Sequence, residues 1–285
     1  MAASPKRKGS EAANGSPKKP RLSNTNDIND DNTNDLAEEI PFLPSSTTAA
    51  GAPDSHINHA AAIAYWSSTE ASVSGVLGGY PQVSRIDLQG SSNFFAKLRR
   101  QHSKDPSETK KKLRRAADCG AGIGRITAGF LSHVAEVVDI VEPVQSFTDA
   151  IKGHASVGEV YNVGLESWRP ADEDARVRRR GEGYDLIWNQ WCLGQLTDAQ
   201  VVAYLRRLQL PGALSAGGWI VVKENLSNHY LGEDVYDEVD SSVTRTDGKF
   251  RGLFEEAGLR LVSTELQKGF PKGLYAVRAY ALQPR

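Results

Sequence analysis

The 285-residue sequence is poor in cysteine and has no hydrophobic run of membrane-spanning length. Cys119 and Cys192 are too few for a disulfide framework, so we expect both to be reduced and packed. No apolar run approaches the roughly 20 residues of a transmembrane helix, and the N-terminal residues lack the apolar core of a signal peptide. Lysine and arginine number 34 against 35 acids, which gives no reason to expect nucleic acid as the main partner. These absences predict a soluble intracellular protein that binds neither membranes nor nucleic acid directly.

Residues 1–52 are rich in serine, asparagine, aspartate, proline and lysine and hold few apolar residues. Such a segment cannot bury enough surface to offset the entropy of ordering, so a disordered tail is predicted. Two basic clusters, Lys6 to Lys8 and Lys18 to Arg21, have the form of a bipartite nuclear import signal. A solvated charged tail is an equally good interpretation. With the import signal, we expect the protein in the cytoplasm and nucleus.

Residues 53–112 have helical patterns that precede the main domain. Apolar and aromatic residues recur at helical spacing from His56 to Trp66, and a second amphipathic segment runs from Ser91 to Arg100. We expect an N-terminal helical extension that caps the functional site.

From Leu113 onward, short apolar runs alternate with helical patterns, which is typical of a doubly wound, mostly parallel sheet. Two adjacent strands at the end indicate an antiparallel hairpin, an ending found in methyltransferases that use S-adenosylmethionine (AdoMet). The sequence therefore predicts an α/β fold over residues 113–285, a seven-stranded Rossmann-like sheet of class I methyltransferase type with an antiparallel final strand. The predicted strands are 115–119, 136–141, 159–163, 184–190, 219–224, 259–265 and 275–282.

A glycine-rich turn follows the first predicted strand, between Asp118 and Arg125. Its alternating glycines let the backbone bend tightly and approach a ligand closely. A dinucleotide-binding turn has its third glycine one place later, where this chain has Arg125, so the pattern favours AdoMet. Glu142 ends the next apolar run, and a carboxylate there can accept hydrogen bonds from both ribose hydroxyls. A purely structural turn is the alternative.

The segment Asp118 to Thr127 closely resembles the α-N-terminal protein methyltransferases, which methylate the N-terminal amine of proteins that begin X-Pro-Lys. The resemblance extends from about residue 56 to the end of the chain, and it implies AdoMet as cofactor and protein N-termini, including those of ribosomal or nuclear proteins, as substrates. The other matching segments, in order, are Tyr65-Trp66, Leu77 to Tyr80, Tyr184 to Trp191, Gly194 to Asp198, Val222 to Asn225 and Val239 to Val243.

The resemblance also implies a set of cofactor-binding residues. Gly120 and Arg125 would contact the methionine end of AdoMet, and the guanidinium suits its carboxylate as a forked donor. Glu142 would bind the ribose, at a position where the family has aspartate. The complete set is Gly120, Gly122, Gly124, Arg125, Glu142, Leu165 and Glu166 beside the adenine, and Gln190 beside the methionine moiety.

Asp240 is the candidate general base by the same resemblance, and Asn225 would orient the substrate amine. Many family members have a histidine where this chain has Gln195, which cannot take a proton near neutral pH. Asp240 would then act alone or with a water, and His229 in a nearby loop is an alternative. No metal site is expected. The implied substrate-binding residues are Tyr65, Trp66, Leu77, Trp191, Gln195 and Asp237.

Two other functions remain open at the level of sequence. A small-molecule methyltransferase on the same fold would need a closed pocket instead of an acidic peptide channel. A non-enzymatic AdoMet-binding scaffold could have lost turnover with the missing histidine. The run Arg178 to Arg180 could attract acidic substrates or ribosomal RNA, although a solvated surface loop is the simpler interpretation.

Overall fold

The structure, a computed structural model, describes residues 51–103, 105, 107–170 and 183–285. The predicted tail up to residue 50 and the run Arg178 to Arg180 lie outside the described residues. No helix in the described ranges is both long and apolar enough to cross a membrane.

A seven-stranded sheet forms the centre of the molecule, in the order β3-β2-β1-β4-β5-β9-β8. Strands β1 to β5 pair in parallel, and β9 lies antiparallel between β5 and β8. The predicted sheet with an antiparallel final strand is thereby confirmed. The strands are β1 (Leu113–Cys119), β2 (Ala135–Val141), β3 (Val157–Tyr161), β4 (Tyr184–Gln190), β5 (Leu214–Leu226), β8 (Leu259–Leu266) and β9 (Ala276–Pro284).

A two-stranded hairpin, which the sequence did not predict, forms a second small sheet. Its strands are β6 (Val235–Asp237) and β7 (Ser242–Thr244). The sequence predicts no strand here, because three-residue strands are too short to show an alternating pattern.

Helices cover both faces of the sheet. On one face the helix Val83–His102 and the turn that follows the glycines pack Phe95 and Phe130 against Trp188, and on the other the helices Asp198–Arg207 and Asp247–Glu256 pack Tyr204 and Phe250. The helices are α1 (His59–Ser68), α2 (Val73–Val76), α3 (Val83–His102), a π-helical turn (Thr127–Leu131) leading into α4 (Ser132–Val134), α5 (Gln145–Ile151), α6 (Asp198–Arg207) and α7 (Asp247–Glu256); short 3-10 turns occupy Pro53–His56, Glu108–Lys110 and Leu193–Gln195.

Helix α3 begins at Val83, well before the predicted start at residue 91. The apolar pattern begins late because the first half of the helix buries Asp87 and Ser91, which are polar. Ser91 lies one turn and Asp87 two turns before Phe94, so both residues continue the stripe formed by Phe94 and Leu98. Polar residues at the helical spacing of an apolar stripe are therefore the sequence signal that would have extended this helix to its true start.

Candidate active site

The glycine-rich turn connects the end of β1 to the π-helical turn. Gly120, Gly122 and Gly124 have φ angles of 69°, 54° and 75°, in the left-handed region that favours glycine. A Cβ on Gly124 would lie 2.4 Å from the Ile151 side chain, so this glycine is also required for packing. The tight turn is thus real, and it brings the backbone to the carboxyl edge of the sheet, where open α/β folds bind ligands.

Two buried carboxylates hold this turn. Asp118 accepts a hydrogen bond from the Thr127 hydroxyl at 2.6 Å, and Glu142 accepts from the backbone N–H groups of Gly122 and Val144, each at 2.9 Å. Burial raises the pKa of Asp118 to about 6, against the opposing hydrogen bond from Thr127. Glu142 stands at the end of β2 as predicted. Since each carboxylate oxygen can accept a second hydrogen bond, ribose binding by Glu142 stays a prediction beside this structural role.

The predicted adenine-side residues lie in the segment that follows β3. Leu165 is buried and Glu166 is half-buried. Arg207 on α6 donates to their carbonyl oxygens at 2.7 and 3.1 Å, which fixes the backbone of this segment. Contact with adenine stays a prediction for both residues.

Arg125 and Gln190 meet on a buried carboxylate that the sequence did not reveal, that of Asp87. Arg125 Nη1 donates to Asp87 Oδ2 at 2.7 Å, and Gln190 Nε2 donates to both Asp87 oxygens at 2.9 Å. The Gln190 Oε1 atom accepts from the indole N–H of Trp188 at 3.0 Å. Burial alone would raise the pKa of Asp87, but Lys223 and Arg125 outweigh it and hold the pKa below its ordinary value. Asp87 is therefore ionised at neutral pH.

The donor set of Arg125 fits the carboxylate end of AdoMet. Only Nη1 of its guanidinium hydrogen-bonds within the described part of the chain, which leaves Nε and Nη2 as a pair of parallel donors. Such a pair matches a carboxylate in bidentate geometry. The residues present therefore suit the methionine moiety, although Gln190 offers no side-chain donor that Asp87 does not already use.

Four predicted substrate-binding residues meet in a third apolar cluster, between the helical extension and the carboxyl edge of the sheet. Trp66, Leu77 and Trp191 are buried there and Tyr65 is partly buried. The Trp191 ring centre lies 5.4 Å from the Arg125 guanidinium carbon and 6.5 Å from the Phe270 ring centre. This cluster joins the cofactor end of the site to the predicted substrate slot.

Trp191 also has an unusual backbone. Its φ is 54° and that of Ser241 is 51°, and these are the non-glycine residues with positive φ in the described ranges. Left-handed backbone at such residues costs free energy and concentrates at functional sites. Trp191 is a predicted substrate-binding residue and Ser241 directly follows the candidate base Asp240, so the backbone strain coincides with two parts of the candidate site.

The candidate base, Asp240, is buried at the tip of the β6–β7 hairpin, and its Oδ1 accepts from the Ser242 hydroxyl at 2.8 Å. Gln195 supports the tip. With its amide nitrogen turned toward the hairpin, it donates to the carbonyl oxygens of Asp240 at 3.1 Å and Ser241 at 3.2 Å. The side chain that stands where the resemblance predicts a histidine thus holds the candidate base, and its predicted contact with substrate stays untested.

The remaining candidates lie around this hairpin. Asn225 is buried near the end of β5, and Asp237 is half-buried on β6, where its carboxylate accepts from the Val239 backbone at 2.9 Å. His229 lies in the segment after β5, with Nδ1 3.4 Å from the Glu233 carboxylate. Their roles toward substrate stay predictions.

Glu224 is a further site residue that sequence reasoning missed. Its buried Oε1 accepts from the backbone N–H groups of Cys192 and Leu193, each at 2.9 Å. It therefore fixes the chain immediately after Trp191. The only sequence signal was its place inside the matching segment Val222 to Asn225.

Within the described residues, no group of three histidine, cysteine or acidic side chains is arranged to hold a metal ion.

The strand order, with one antiparallel strand inserted beside β5, and the glycine turn at the end of β1 define a class I AdoMet-dependent methyltransferase. A family profile described as AdoMet dependent proline di-methyltransferase matches residues 54–283, and the chain belongs to that family.

Curated relatives and a solved structure agree with this family. The chain is 41% identical over 227 residues to "Alpha N-terminal protein methyltransferase 1" of Schizosaccharomyces pombe, covering 78% of this chain and 94% of the relative. It is 36% identical to "N-terminal Xaa-Pro-Lys N-methyltransferase 1" of Xenopus tropicalis, covering 77% and 92%. A solved SAM-dependent methyltransferase of Leishmania major is 35% identical, with a TM-score of 0.67 over 79% of this chain and 82% of that one.

Proposed function

We propose that this chain transfers the methyl group of AdoMet to the α-amine of protein N-termini that begin X-Pro-Lys. The observation that carries the proposal is the position of Trp191. Its ring packs beside the guanidinium of Arg125 and belongs to the same apolar cluster as Trp66 and Leu77. A proline-containing chain end bound against these aromatics would lie next to the methionine end of the cofactor. The Xenopus relative carries this specificity in its name.

AdoMet, when bound, would supply a methyl group activated by its sulfonium, which an amine attacks in line while the thioether leaves. The protein therefore has to align the amine and keep it unprotonated. An α-amine has an ordinary pKa of about 8, against about 10.4 for a lysine side chain, so it has the larger neutral fraction near pH 7. This difference favours a chain terminus over a lysine as the nucleophile.

Asp240 is the group that takes the remaining proton. Its burial keeps it away from bulk water, and the Ser242 hydroxyl at 2.8 Å orients its carboxylate. Asn225, at the end of β5, orients the amine by hydrogen bonding. Gln195 adds a second support, because its amide, turned toward the hairpin, hydrogen-bonds to the backbone carbonyl of Asp240. A base fixed in this way contributes a factor of about 10² to 10⁴ in rate.

Substrate selection combines an aromatic slot with an acidic rim. Tyr65, Trp66 and Trp191 enclose the proline ring and the amine. Asp237 on the hairpin pairs with the lysine at the third position of the substrate. Trp66 and Trp191 are buried, and Phe270 lies against Trp191, so a bound peptide displaces the Phe270 ring from its place.

Ribosomal and nuclear proteins with X-Pro-Lys termini are the proposed substrates, in the cytoplasm and the nucleus. The support for this location is the pair of basic clusters at Lys6 to Lys8 and Lys18 to Arg21. Imaging of a fluorescent fusion tests it, because replacing both clusters with glutamine should remove the nuclear fraction.

The function is tested by incubating the full chain with methyl-labelled AdoMet and a hexapeptide that begins Ser-Pro-Lys, with a metabolite extract in a parallel reaction. Label on the peptide supports the proposal. Label only on a metabolite would establish a small-molecule methyltransferase instead. Cofactor binding without label on either acceptor would establish a non-enzymatic scaffold.

A further inference from the structure

Asp87 occupies a singular place in the molecule, because it belongs to the helical extension yet contacts three segments of the catalytic domain. It is fully buried on α3. Its carboxylate accepts from Arg125 after the glycine turn, from Gln190 at the end of β4, and from the Lys223 ammonium on β5 at 2.6 Å. Four elements distant in sequence therefore converge on one carboxylate.

The contacts of Asp87 select the orientation of Arg125. Asp87 takes the Nη1 donor, and the Trp191 ring lies 5.4 Å from the guanidinium carbon. The guanidinium is thus fixed at one edge and covered by a ring, while Nε and Nη2 form no hydrogen bond to the described residues. An unconstrained arginine would have to lose its rotamer freedom on binding a ligand, whereas this one is already held.

Lys223 determines the charge that remains. One carboxylate shared by Arg125 and Lys223 leaves these three groups with an excess of one positive charge. Lys223 is itself buried and held, donating to Ser91 Oγ and Gln267 Oε1 at 2.9 Å each. An uncompensated charge in a buried site favours an incoming anion. Asp118 also attracts Arg125 electrostatically, but it forms no hydrogen bond with the guanidinium, and its carboxylate accepts from the Thr127 hydroxyl instead.

We propose that Asp87 is a positioning residue for the cofactor, which presents Arg125 to the carboxylate of the methionine moiety, and that Lys223 keeps Asp87 from neutralising Arg125. The inference rests on the proposed methyltransferase function. It also changes the role of the helical extension, because α3 supplies part of the cofactor site and is more than a cap over it.

The test compares two nucleosides that differ in the group Arg125 would bind. S-adenosylhomocysteine carries the amino-acid end with its carboxylate and ammonium, and 5′-methylthioadenosine has the same nucleoside and thioether without that amino-acid end. Calorimetry on the full chain gives both dissociation constants. Asp87→Asn and Lys223→Met should each weaken S-adenosylhomocysteine at least about tenfold and change 5′-methylthioadenosine less than about twofold, as expected for loss of a charge-assisted contact.

Asp139→Asn is the matched control. Asp139 on β2 is an equally buried carboxylate that pairs with Arg115 and accepts from Tyr184 at 2.6 Å. The Asp139→Asn substitution should change the affinities for S-adenosylhomocysteine and 5′-methylthioadenosine by the same factor. If Asp87→Asn does not fold, Lys223→Met alone decides.

Three results would overturn the inference: equal losses for both nucleosides, no loss for either, or tighter binding of S-adenosylhomocysteine by Asp87→Asn. The last would mean that Asp87 competes with the cofactor for Arg125. If the wild-type chain binds neither nucleoside, the proposed function itself fails, so binding by the wild-type chain separates the two outcomes.

Discussion

In the amide orientation that satisfies both of its side-chain polar atoms, Gln195 donates from its Nε2 to the backbone carbonyl of Asp240 at a distance of 3.1 Å. The residue that stands where relatives of this kind are expected to have a histidine is therefore joined to the candidate base through the backbone. The two residues act together: Gln195 fixes the backbone of the hairpin tip, and Asp240 supplies the carboxylate that accepts the proton.

Asp240→Asn tests the charge. The amide keeps the shape of the carboxylate and can still accept from Ser242, but it cannot take a proton. We expect kcat to fall about 10² to 10⁴-fold, as for loss of a general base, with the dissociation constant for S-adenosylhomocysteine within about twofold of wild type. Steady-state kinetics and calorimetry check both values. A kcat that stays within twofold would exclude Asp240 as the base.

Gln195→His and Gln195→Ala test the order. Alanine leaves the buried carbonyls of Asp240 and Ser241 without their donor, which should cost about 1 to 3 kcal/mol in unfolding free energy and lower kcat. Histidine keeps one donor and adds a group that titrates near pH 6.5, so the pH profile of kcat should gain an inflection between pH 6 and 7. Equal kcat values and identical pH profiles for the two variants would contradict this role.

Trp191→Phe and Trp66→Phe form a matched pair in the same buried cluster. Trp191 covers the Arg125 guanidinium, whereas the ring neighbours of Trp66 are Tyr65 and Phe147. Because phenylalanine is the weaker partner for a cation, Trp191→Phe should raise the KM for AdoMet and the KM for peptide by about threefold. Trp66→Phe should raise only the KM for peptide. A selective effect of Trp66→Phe on AdoMet would refute the assignment.

Asp118→Asn tests the buried carboxylate below the glycine turn. Burial raises the pKa of Asp118 to about 6 from 3.8, so the native state binds more protons than the unfolded state between these values. The free energy of unfolding should then decrease as pH rises from 4 to 7, by most of about 3 kcal/mol from this group. The asparagine variant keeps the acceptor for Thr127 and should lack this component.

Urea unfolding of both proteins at several pH values gives the difference directly, since the other titrating groups cancel. An unchanged difference across this pH range would show that Asp118 ionises normally.

Much of the sheet could be predicted because its strands are apolar runs bounded by turns. Strand β4 has the predicted bounds, Tyr184–Gln190. Strand β5 begins at Leu214, earlier than predicted, because Gly217 and Gly218 interrupt the apolar pattern and the pairing with β4 shifts its register there. Strand β3 lies two residues before its predicted place. It is an edge strand, and its alternating, half-buried residues give only a weak apolar signal in the sequence.

The site was predicted less completely, and for a different reason. The resemblance identified Gly120, Arg125 and Trp191 from local strings. Asp87 and Glu224 act through hydrogen bonds to segments far away in sequence, and local periodicity contains no information about such partners. Trp191 likewise packs near Phe270, which follows β8 and is distant in sequence. Long-range pairing of polar groups is what the fold adds to the sequence.

The most direct measurement is tandem mass spectrometry of a Ser-Pro-Lys hexapeptide after incubation with the full chain and AdoMet, beside the same peptide with an acetylated N-terminus. Transfer to the α-amine predicts that every added methyl is located on the first residue by its fragment ions, and that the acetylated peptide gains none. Methyl groups on the lysine side chain, or equal methylation of the acetylated peptide, would contradict it.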